Sequence, residues 1–277
     1  MKARGWIGFA LVALLAALAL AGDRVTGYRF DAQDTAQALA APSQAHWLGC
    51  DALGRDLFAR LCEGGRVSLV VAVGATALAV ALGLGYGALS GWIGGRLDSL
   101  LMRGVDVVYA LPDVLVTVLL IEVFQAALAG VPDLWRRLTA LAFALGFAGF
   151  VGVARLVRAL VLQAREELWV EAARATGVHA SRILVRHVLP NVAAPVLVAA
   201  AFRIPAAILS ESVLSFIGLG IQPPFSSWGT LASDGFEAMR SYPHLILFPC
   251  AAILCALLGF HLLGEALRER LGPRLRA

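Results

Sequence analysis

The sequence carries little charge for its length. Aspartate, glutamate, lysine and arginine make up 15% of the 277 residues, whereas soluble domains carry roughly 25%. Hydrophobic residues make up 60%, and they form long runs instead of being spread evenly along the chain. An apolar run of about 20 residues matches the hydrocarbon core of a bilayer. The composition therefore excludes an ordinary soluble domain and predicts an all-α integral membrane protein.

The basic residues are almost all arginine, and the formal net charge is +4. A basic balance can indicate a nucleic-acid partner, but here the arginines lie at the ends of the hydrophobic runs. Basic residues in that position are typical of the signals that orient membrane helices. We therefore expect contact with membrane lipid and no nucleic-acid partner.

Motifs for nucleotide binding and covalent catalysis are absent. The chain contains no G-x-x-x-x-G-K-[ST], the loop that cradles ATP phosphates, and no G-x-S-x-G, H-E-x-x-H or paired C-x-x-C. We therefore expect no catalytic residues, no enzymatic activity and no cofactor bound by this chain. Any energy source for its function must be another polypeptide.

Cysteine is too scarce for a disulfide framework, with four residues in the chain. Cys50 and Cys62 share a polar segment and could pair if it faces an oxidising compartment, a question that the sequence leaves open. His46 and Asp51 lie beside them, but the spacing of these residues matches no metal-site pattern. We expect no metal site.

Six apolar segments divide the chain, so that both chain ends lie on the same side of the membrane. The segments are residues 6–22, 67–91, 107–129, 138–160, 192–220 and 243–264. We divide the chain into residues 1–66, an N-terminal transmembrane helix with a leader segment, and residues 67–277, a five-helix core.

The first segment allows two interpretations. Lys2 and Arg4 precede a short apolar stretch that ends in Ala19-Leu20-Ala21, as in a cleavable signal peptide. We favour an uncleaved helix, and its removal would leave the next segment on the same side. Arginine is enriched on the side of the N-terminus, notably within residues 155–186, which predicts that both termini are cytoplasmic.

Charged residues within the apolar segments are candidate functional groups, because a charge at the centre of a membrane helix costs about 2.5 kcal/mol or more. The third segment carries Asp113 and Glu122, and the fifth carries Arg203 and Glu211. The latter two lie about 12 Å apart along a helix and should not pair with each other. We expect each charge to meet a partner on another helix or to line a transport pathway.

Glycines recur along the second segment, at Gly83, Gly85, Gly87 and Gly91. Small residues at helical spacing let helix backbones approach closely in lipid. The pattern predicts close packing within one bundle or at a subunit interface.

A polar stretch, EAARATGVHASRILVRHVLPN (residues 171–191), interrupts the hydrophobic pattern between the fourth and fifth segments. Glu167, Glu171 and Arg174 lie at spacings of three and four, which favours a first helix. Gly177 can end that helix or permit a sharp bend.

A second helix is expected from Ala180 to Leu189, because Pro190 cannot continue it and Asn191 can cap the helix that follows. The alanine-rich surface of this stretch suits insertion into a groove of a partner protein. An amphipathic connector that lies on the lipid surface is equally compatible with the pattern.

The same stretch resembles the EAA loop of ATP-binding cassette importer permeases, through Glu171-Ala172-Ala173, Gly177 and Leu189-Pro190. His187, which replaces the usual isoleucine, forms with Pro190 and Asn191 a pattern similar to the dipeptide, oligopeptide and nickel branch of that family. Two further stretches are similar to that branch: HWLGCDALGRD (residues 46–56), with cysteine where threonine is usual, and ESVLSFIGLGIQPPFSSWG (residues 211–229). The resemblance covers about residues 46–265.

The resemblance implies a type I ABC importer permease fold: six transmembrane helices and a cytoplasmic coupling helix in an EAA loop at residues 161–191. The residues that it implies for ATPase coupling are Glu171, Ala172, Ala173, Gly177, Val178, Ala180, His187, Pro190 and Asn191. The implied partners are a homologous permease subunit, two cytoplasmic ATPase subunits or domains that bind ATP and magnesium, and a periplasmic or extracellular solute-binding protein. The implied function is uptake of dipeptides, oligopeptides or a related small solute across a bacterial inner membrane.

Two alternatives stay open. A secondary transporter driven by an ion gradient would use Asp113, Glu122 and Glu211 to carry protons, although the inverted repeats of such folds are not visible in the sequence. Within the same family, the solute could instead be nickel or another non-peptide compound.

Overall fold

The computed structural model describes residues 3–272, and Met1, Lys2 and residues 273–277 lie outside this range. Within it the regular structure is helical. The α-helices are α1 (Ala3–Thr26), α2 (Leu57–Ile93), α3 (Gly95–Ala110), α4 (Asp113–Ala127), α5 (Asp133–Arg165), α6 (Leu168–Ala175), α7 (Ala180–Ile183), α8 (Leu189–Phe216), α9 (Trp228–Ala238) and α10 (His244–Leu271). A 3-10 turn (Thr35–Gln37) lies between α1 and α2, and a π-helical turn (Leu184–Val188) joins α7 to α8.

Five helical stretches of the described residues are long and apolar enough to cross a membrane. They are Arg4–Gly22, Leu57–Ile93, Asp133–Arg165, Ala180–Phe216 and His244–Leu271. Helices α3 and α4 meet the same criterion only as a pair, and they are bent by 98° relative to each other. The prediction of an all-α membrane protein is confirmed, whereas the number of spans is six only if this bent pair crosses once.

The third predicted segment, residues 107–129, is wrong as a single helix. Leu111 separates α3 from α4 and is extended, with φ −86° and ψ 144°. It precedes Pro112, whose ring clashes with a helical conformation of the preceding residue. Apolar residues lie on both sides of the break, so hydrophobicity alone does not reveal it.

The second span begins earlier than its hydrophobicity indicates, because α2 starts at Leu57 and continues through the predicted boundary at residue 66. Arg60, in its first turns, is buried; Nη1 of Arg60 lies 2.6 Å from Oδ2 of Asp51 and 3.3 Å from Oδ2 of Asp234. These ion pairs fix the leader and α9 to the start of α2. The leader and the core are therefore joined by one continuous helix.

The centre of the bundle is the contact between α2 and α5, where glycines of one helix face valines of the other. The three pairs are Gly83 with Val153, Gly87 with Val157, and Gly91 with Val161. A Cβ at Gly87 would lie only 2.4 Å from the carbonyl oxygen of Ala154, so the two backbones are in direct contact. The predicted close packing within one bundle is confirmed for these glycines, but Gly85 faces open space.

The leader between α1 and α2 contains the cysteines whose pairing the sequence leaves open. Cys50 and Cys62 are both buried thiols that no disulfide joins. Burial, reinforced by the negative charge of nearby aspartates, raises the pKa of Cys50 to about 11. Nδ1 of His46 lies 3.0 Å from Oδ2 of Asp56, which fixes the leader to the start of α2. Among the described residues no histidine, cysteine and carboxylate side chains are grouped as a metal site.

Candidate functional site

The polar stretch belongs to a longer connecting segment, residues 161–191, which leads from the end of α5 through α6 and α7 into α8. Helix α6 follows Glu167, whose backbone is extended with φ −74° and ψ 143°. Glu171 lies in the first turn of α6, where a carboxylate interacts favourably with the helix dipole. The first predicted helix of this stretch is confirmed.

Helix α6 ends in a Schellman motif, the hydrogen-bonded turn that commonly terminates helices at glycine. The amide of Gly177 donates to the carbonyl of Arg174 at 3.0 Å, and the amide of Val178 donates to the carbonyl of Ala173 at 3.2 Å. Gly177 has φ +78°, in the left-handed region that favours glycine. The predicted bend at Gly177 is confirmed, and it redirects the chain towards α7.

The sequence predicts that the second helix ends before Pro190, and this prediction is wrong. The helical structure from Ala180 runs through the π-helical turn and α8 to Phe216, so Asn191 lies within a helix and does not cap one. Proline is tolerated here because it lies in the first turn of α8, directly after the π-helical turn has changed the hydrogen-bond register. The connecting segment is therefore continuous with the fifth span.

The connecting segment is fixed to the bundle by three side chains that have no exposed surface, Val170, Ile183 and Val188. They pack with valines of α5 and α8: Val153, Val157, Val161, Val192 and Val196. Buried apolar contacts of this kind order α6 and α7 against the ends of the long helices. An unattached connector lying on lipid would not have such an apolar core beneath it.

Two arginines join the connecting segment to the end of α2. Nη1 of Arg165 donates to the carbonyl of Trp92 at 3.0 Å, and the guanidinium of Arg174 lies over the Trp92 ring, 5.4 Å from its centroid. A cation over an aromatic ring is attracted by the ring's negative face. The last turn of α2, the last turn of α5 and α6 are thus held together.

The outward surface of the connecting segment combines apolar and charged residues. Leu168 is 80% exposed and Val185 is 59% exposed, although both are large apolar side chains. The exposed predicted coupling residues are Glu171, Ala172, Gly177, Ala180, His187, Pro190 and Asn191, whereas Ala173 and Val178 are half-buried against the core. Sequence reasoning missed Leu168 and Val185, whose only signal is an apolar residue away from the buried face. An exposed surface of this mixed kind, on helices that are fixed to the bundle, is available to a protein partner.

Among the charges within the apolar segments, Glu211 lies in an interhelical contact. Its side chain is fully buried in α8; Oε2 accepts from Ser68 Oγ at 2.8 Å and Oε1 accepts from Ser215 Oγ at 2.6 Å. The amide of Trp228 also donates to Ser68 Oγ, at 3.3 Å. Glu211 therefore connects α8 to α2 and, through Ser68, to the start of α9.

Two of the other charges line a cavity of about 500 Å³ between the α3–α4 bend, α5 and α8. Arg203 projects from α8 and Asp113 lies at the start of α4. Glu122 lies further along α4, is exposed and does not line this cavity. The structure thus places Asp113 and Arg203 at one site and separates Glu122 and Glu211 from it.

A further polar network holds α3 in place, and sequence reasoning missed it because Asp98 lies between two apolar segments. Nε and Nη2 of Arg158 lie 2.5 and 2.6 Å from the two carboxylate oxygens of Asp98, and Ser90 donates to the same carboxylate at 2.5 Å. This paired geometry is typical of arginine with a carboxylate. It joins the start of α3 to both α2 and α5.

Residues 71–277 match the family described as binding-protein-dependent transport system inner membrane component. The chain belongs to this family. The permease is 35% identical to the oligopeptide transport system permease protein OppC of Bacillus subtilis (strain 168), over 98% of this chain and 85% of that protein. It is 37% identical to the dipeptide transport system permease protein DppC of the same organism, over 97% and 81%. It is 35% identical to the glutathione transport system permease protein GsiD of Pectobacterium atrosepticum, over 85% and 75%.

This membership identifies the chain as a permease subunit of an ATP-driven importer, in a multi-pass inner-membrane location. Permease subunits of this family are not enzymes, because separate ATPase subunits hydrolyse the ATP. The alternative of a transporter driven by an ion gradient is therefore wrong.

Proposed function

We propose that this permease subunit imports dipeptides or oligopeptides. The support is the similarity, over nearly the whole chain, to permeases named for oligopeptide and dipeptide transport. Uptake of labelled peptides by the complete complex in proteoliposomes tests the proposal. Transport of nickel or another non-peptide solute, with no transport of peptides, would contradict it.

The connecting segment is proposed to dock into a cleft of a cytoplasmic ATPase subunit. The observation that carries this proposal is the exposed surface of α6, with Leu168 and Glu171 outward, above the buried anchors Val170, Ile183 and Val188. A helix fixed in this way can transmit a push to the bundle, since its anchors cannot move without the long helices that they contact. The residues proposed to contact the ATPase are the exposed members of the coupling set given above.

The proposed assembly contains a second, homologous permease subunit, two ATPase subunits or domains that bind ATP and magnesium, and a solute-binding protein on the outer side. In this arrangement the α3–α4 pair crosses the membrane once, giving six spans with both termini and the connecting segment in the cytoplasm. Reporter fusions at the C-terminus test the topology, since a phosphatase that folds only outside should be inactive there and a cytoplasmic fluorescent reporter should be bright.

Coupling is tested in the reconstituted complex by replacing Glu171 with lysine. We expect uptake per ATP hydrolysed to fall at least about tenfold, the effect of losing 1.4 kcal/mol, because the substitution reverses a charge on the docking surface. Glu265→Lys is the matched control, since it makes the same charge change on an exposed part of α10. Equal coupling ratios in both variants and the unmodified complex would refute the docking surface.

A further inference from the structure

Arg203 places a positive charge beside a cavity within the bundle. It lies near the middle of α8 and faces the cavity between α4, α5 and α8. Its Nε is buried, and within residues 3–272 no hydrogen bond satisfies that atom. A charged side chain at this depth is unfavourable and is rare unless it meets a partner, water or a transported solute. The fold thus leaves at least one donor of this guanidinium, Nε, without an acceptor among the described residues.

The bundle is shaped to receive the guanidinium. Gly149 of α5 lies directly beneath it, and a Cβ at that position would be 1.7 Å from Nη2 and 2.3 Å from Cζ of Arg203. Any side chain at Gly149 would therefore displace the guanidinium group. The absence of a side chain at Gly149 leaves room for the guanidinium group against α5, at the wall of the cavity.

Asp113 is the only carboxylate among the residues that line the cavity, and its negative charge acts on Arg203. Within the described residues no ion pair shorter than 4.0 Å joins these two side chains. Asp113 thus partly balances the charge of the cavity without occupying the hydrogen-bond donors of the guanidinium.

We propose that Arg203 binds the carboxylate of the transported solute during its passage through this cavity. The planar guanidinium matches a carboxylate in a two-point hydrogen-bonded geometry that a lysine cannot reproduce. The cavity, at about 500 Å³, has the size of a small-molecule site and is otherwise mostly apolar. This inference rests on the proposed import of peptides, each of which carries a carboxylate at its C-terminus.

The test compares a peptide that has uncharged side chains and a free C-terminal carboxylate with its C-terminal amide. Both are supplied bound to the solute-binding protein, and the pair is chosen so that the isolated binding protein binds each. Transport rates are measured for the complete complex and for its Arg203→Gln and Arg203→Lys variants. Arg137→Gln is the control, because it removes an arginine of α5 whose partner is the exposed Asp133.

We expect the unmodified complex and the Arg137→Gln control to transport the free acid at least about tenfold faster than the amide, because a hydrogen bond to a charged group contributes a stabilisation of this size. Arg203→Gln should reduce this ratio to about one, with Arg203→Lys in between. Gly149→Ala should also lower this ratio of transport rates. If Arg203→Gln does not assemble, Gly149→Ala and Arg203→Lys together test the role of Arg203.

An unmodified complex that transports both peptides equally, or a ratio that survives in Arg203→Gln, would overturn the role of Arg203 while leaving peptide import intact. A complex that hydrolyses ATP but transports neither peptide would instead refute the proposed substrate, and this inference with it.

Discussion

Replacing Gly87 with alanine should destabilise the permease, while the same change at Gly85 should not. The two positions are two residues apart in α2, but Gly87 lies against the backbone of α5 and Gly85 has nothing within 4 Å of an added Cβ. The pair therefore compares one methyl group in the centre of the bundle with one methyl group in open space.

The structure sets the expected magnitude. The new Cβ at Gly87 would lie 2.4 Å from the carbonyl oxygen of Ala154 and 2.9 Å from Cβ of Val157. The obstructing oxygen belongs to the backbone, so the helices must separate, and overpacking of this kind costs about 1–3 kcal/mol. At Gly85 alanine restricts the unfolded chain and favours the helix by about 0.5–1 kcal/mol. The two variants should therefore differ by about 1.5–4 kcal/mol in the free energy of unfolding.

The assay is thermal unfolding of the purified permease in one detergent, followed by tryptophan fluorescence, with SDS titration as a second probe. A change of 1 kcal/mol shifts the melting temperature by about 2–4 °C in proteins of 150–250 residues, so the difference is measurable. Equal melting temperatures for the two variants would show that α2 and α5 are not in backbone contact at Gly87.

Three other changes have defined outcomes. Gly177→Ala should destabilise the turn after α6 by about 1–2 kcal/mol, because φ is +78° although space is available, and faster amide exchange confined to α6 would report it. Glu211→Leu should lower the free energy of unfolding by more than Ser68→Ala does. It leaves the buried hydroxyl groups of Ser68 and Ser215 without their acceptor, at a cost of about 1–3 kcal/mol each. Equal melting temperatures of the two variants would contradict this. Cys50 is fully buried and its pKa is raised to about 11, so it should react with iodoacetamide far more slowly at pH 8 than a peptide thiol, and its rate should keep rising towards pH 11. A rate that levels off near pH 8.5 would exclude the raised pKa.

Hydrophobicity alone could predict most of the spans, because a run of apolar residues has few alternatives to a membrane helix. It could not locate the break between α3 and α4, since the apolar residues continue across it and only Pro112 interrupts the backbone. It also could not find the start of α2, where polar residues such as Arg60 are buried because Asp51 and Asp234 pair with them. Tertiary partners, which local sequence does not contain, therefore decide where α2 starts, whereas the break between α3 and α4 follows from one local residue, Pro112.

At the candidate sites, too, the sequence predicts local features and does not predict contacts between helices. The bend at Gly177 follows from local chemistry, because a left-handed residue after a helix favours glycine. The cradle that Gly149 forms for Arg203 joins residues of two helices, and a single sequence gives no sign of which glycine faces which arginine. Glu211 and Arg203 differ for the same reason, although both are charged residues of one apolar helix. Hydroxyl groups of α2 and α8 donate to Glu211, whereas no acceptor among the described residues bonds to Nε of Arg203.

The continuity of the helix at Pro190 has a mechanical consequence for the proposed coupling. Because helical structure runs unbroken from Ala180 to Phe216, the last part of the connecting segment, Arg203 and Glu211 lie on the same helix, and α6 reaches this helix through the bend at Gly177. A helix broken at Pro190 would absorb a push from an ATPase at the break, whereas a continuous one passes it along its axis to the cavity wall. The buried Glu211 contact with Ser68 lies further along the same helix, beside residues that also line the cavity, and resists sliding of this helix past α2. Displacement of the connecting segment would therefore move α8 mainly where Arg203 faces the cavity, between the connecting segment and the Glu211 contact.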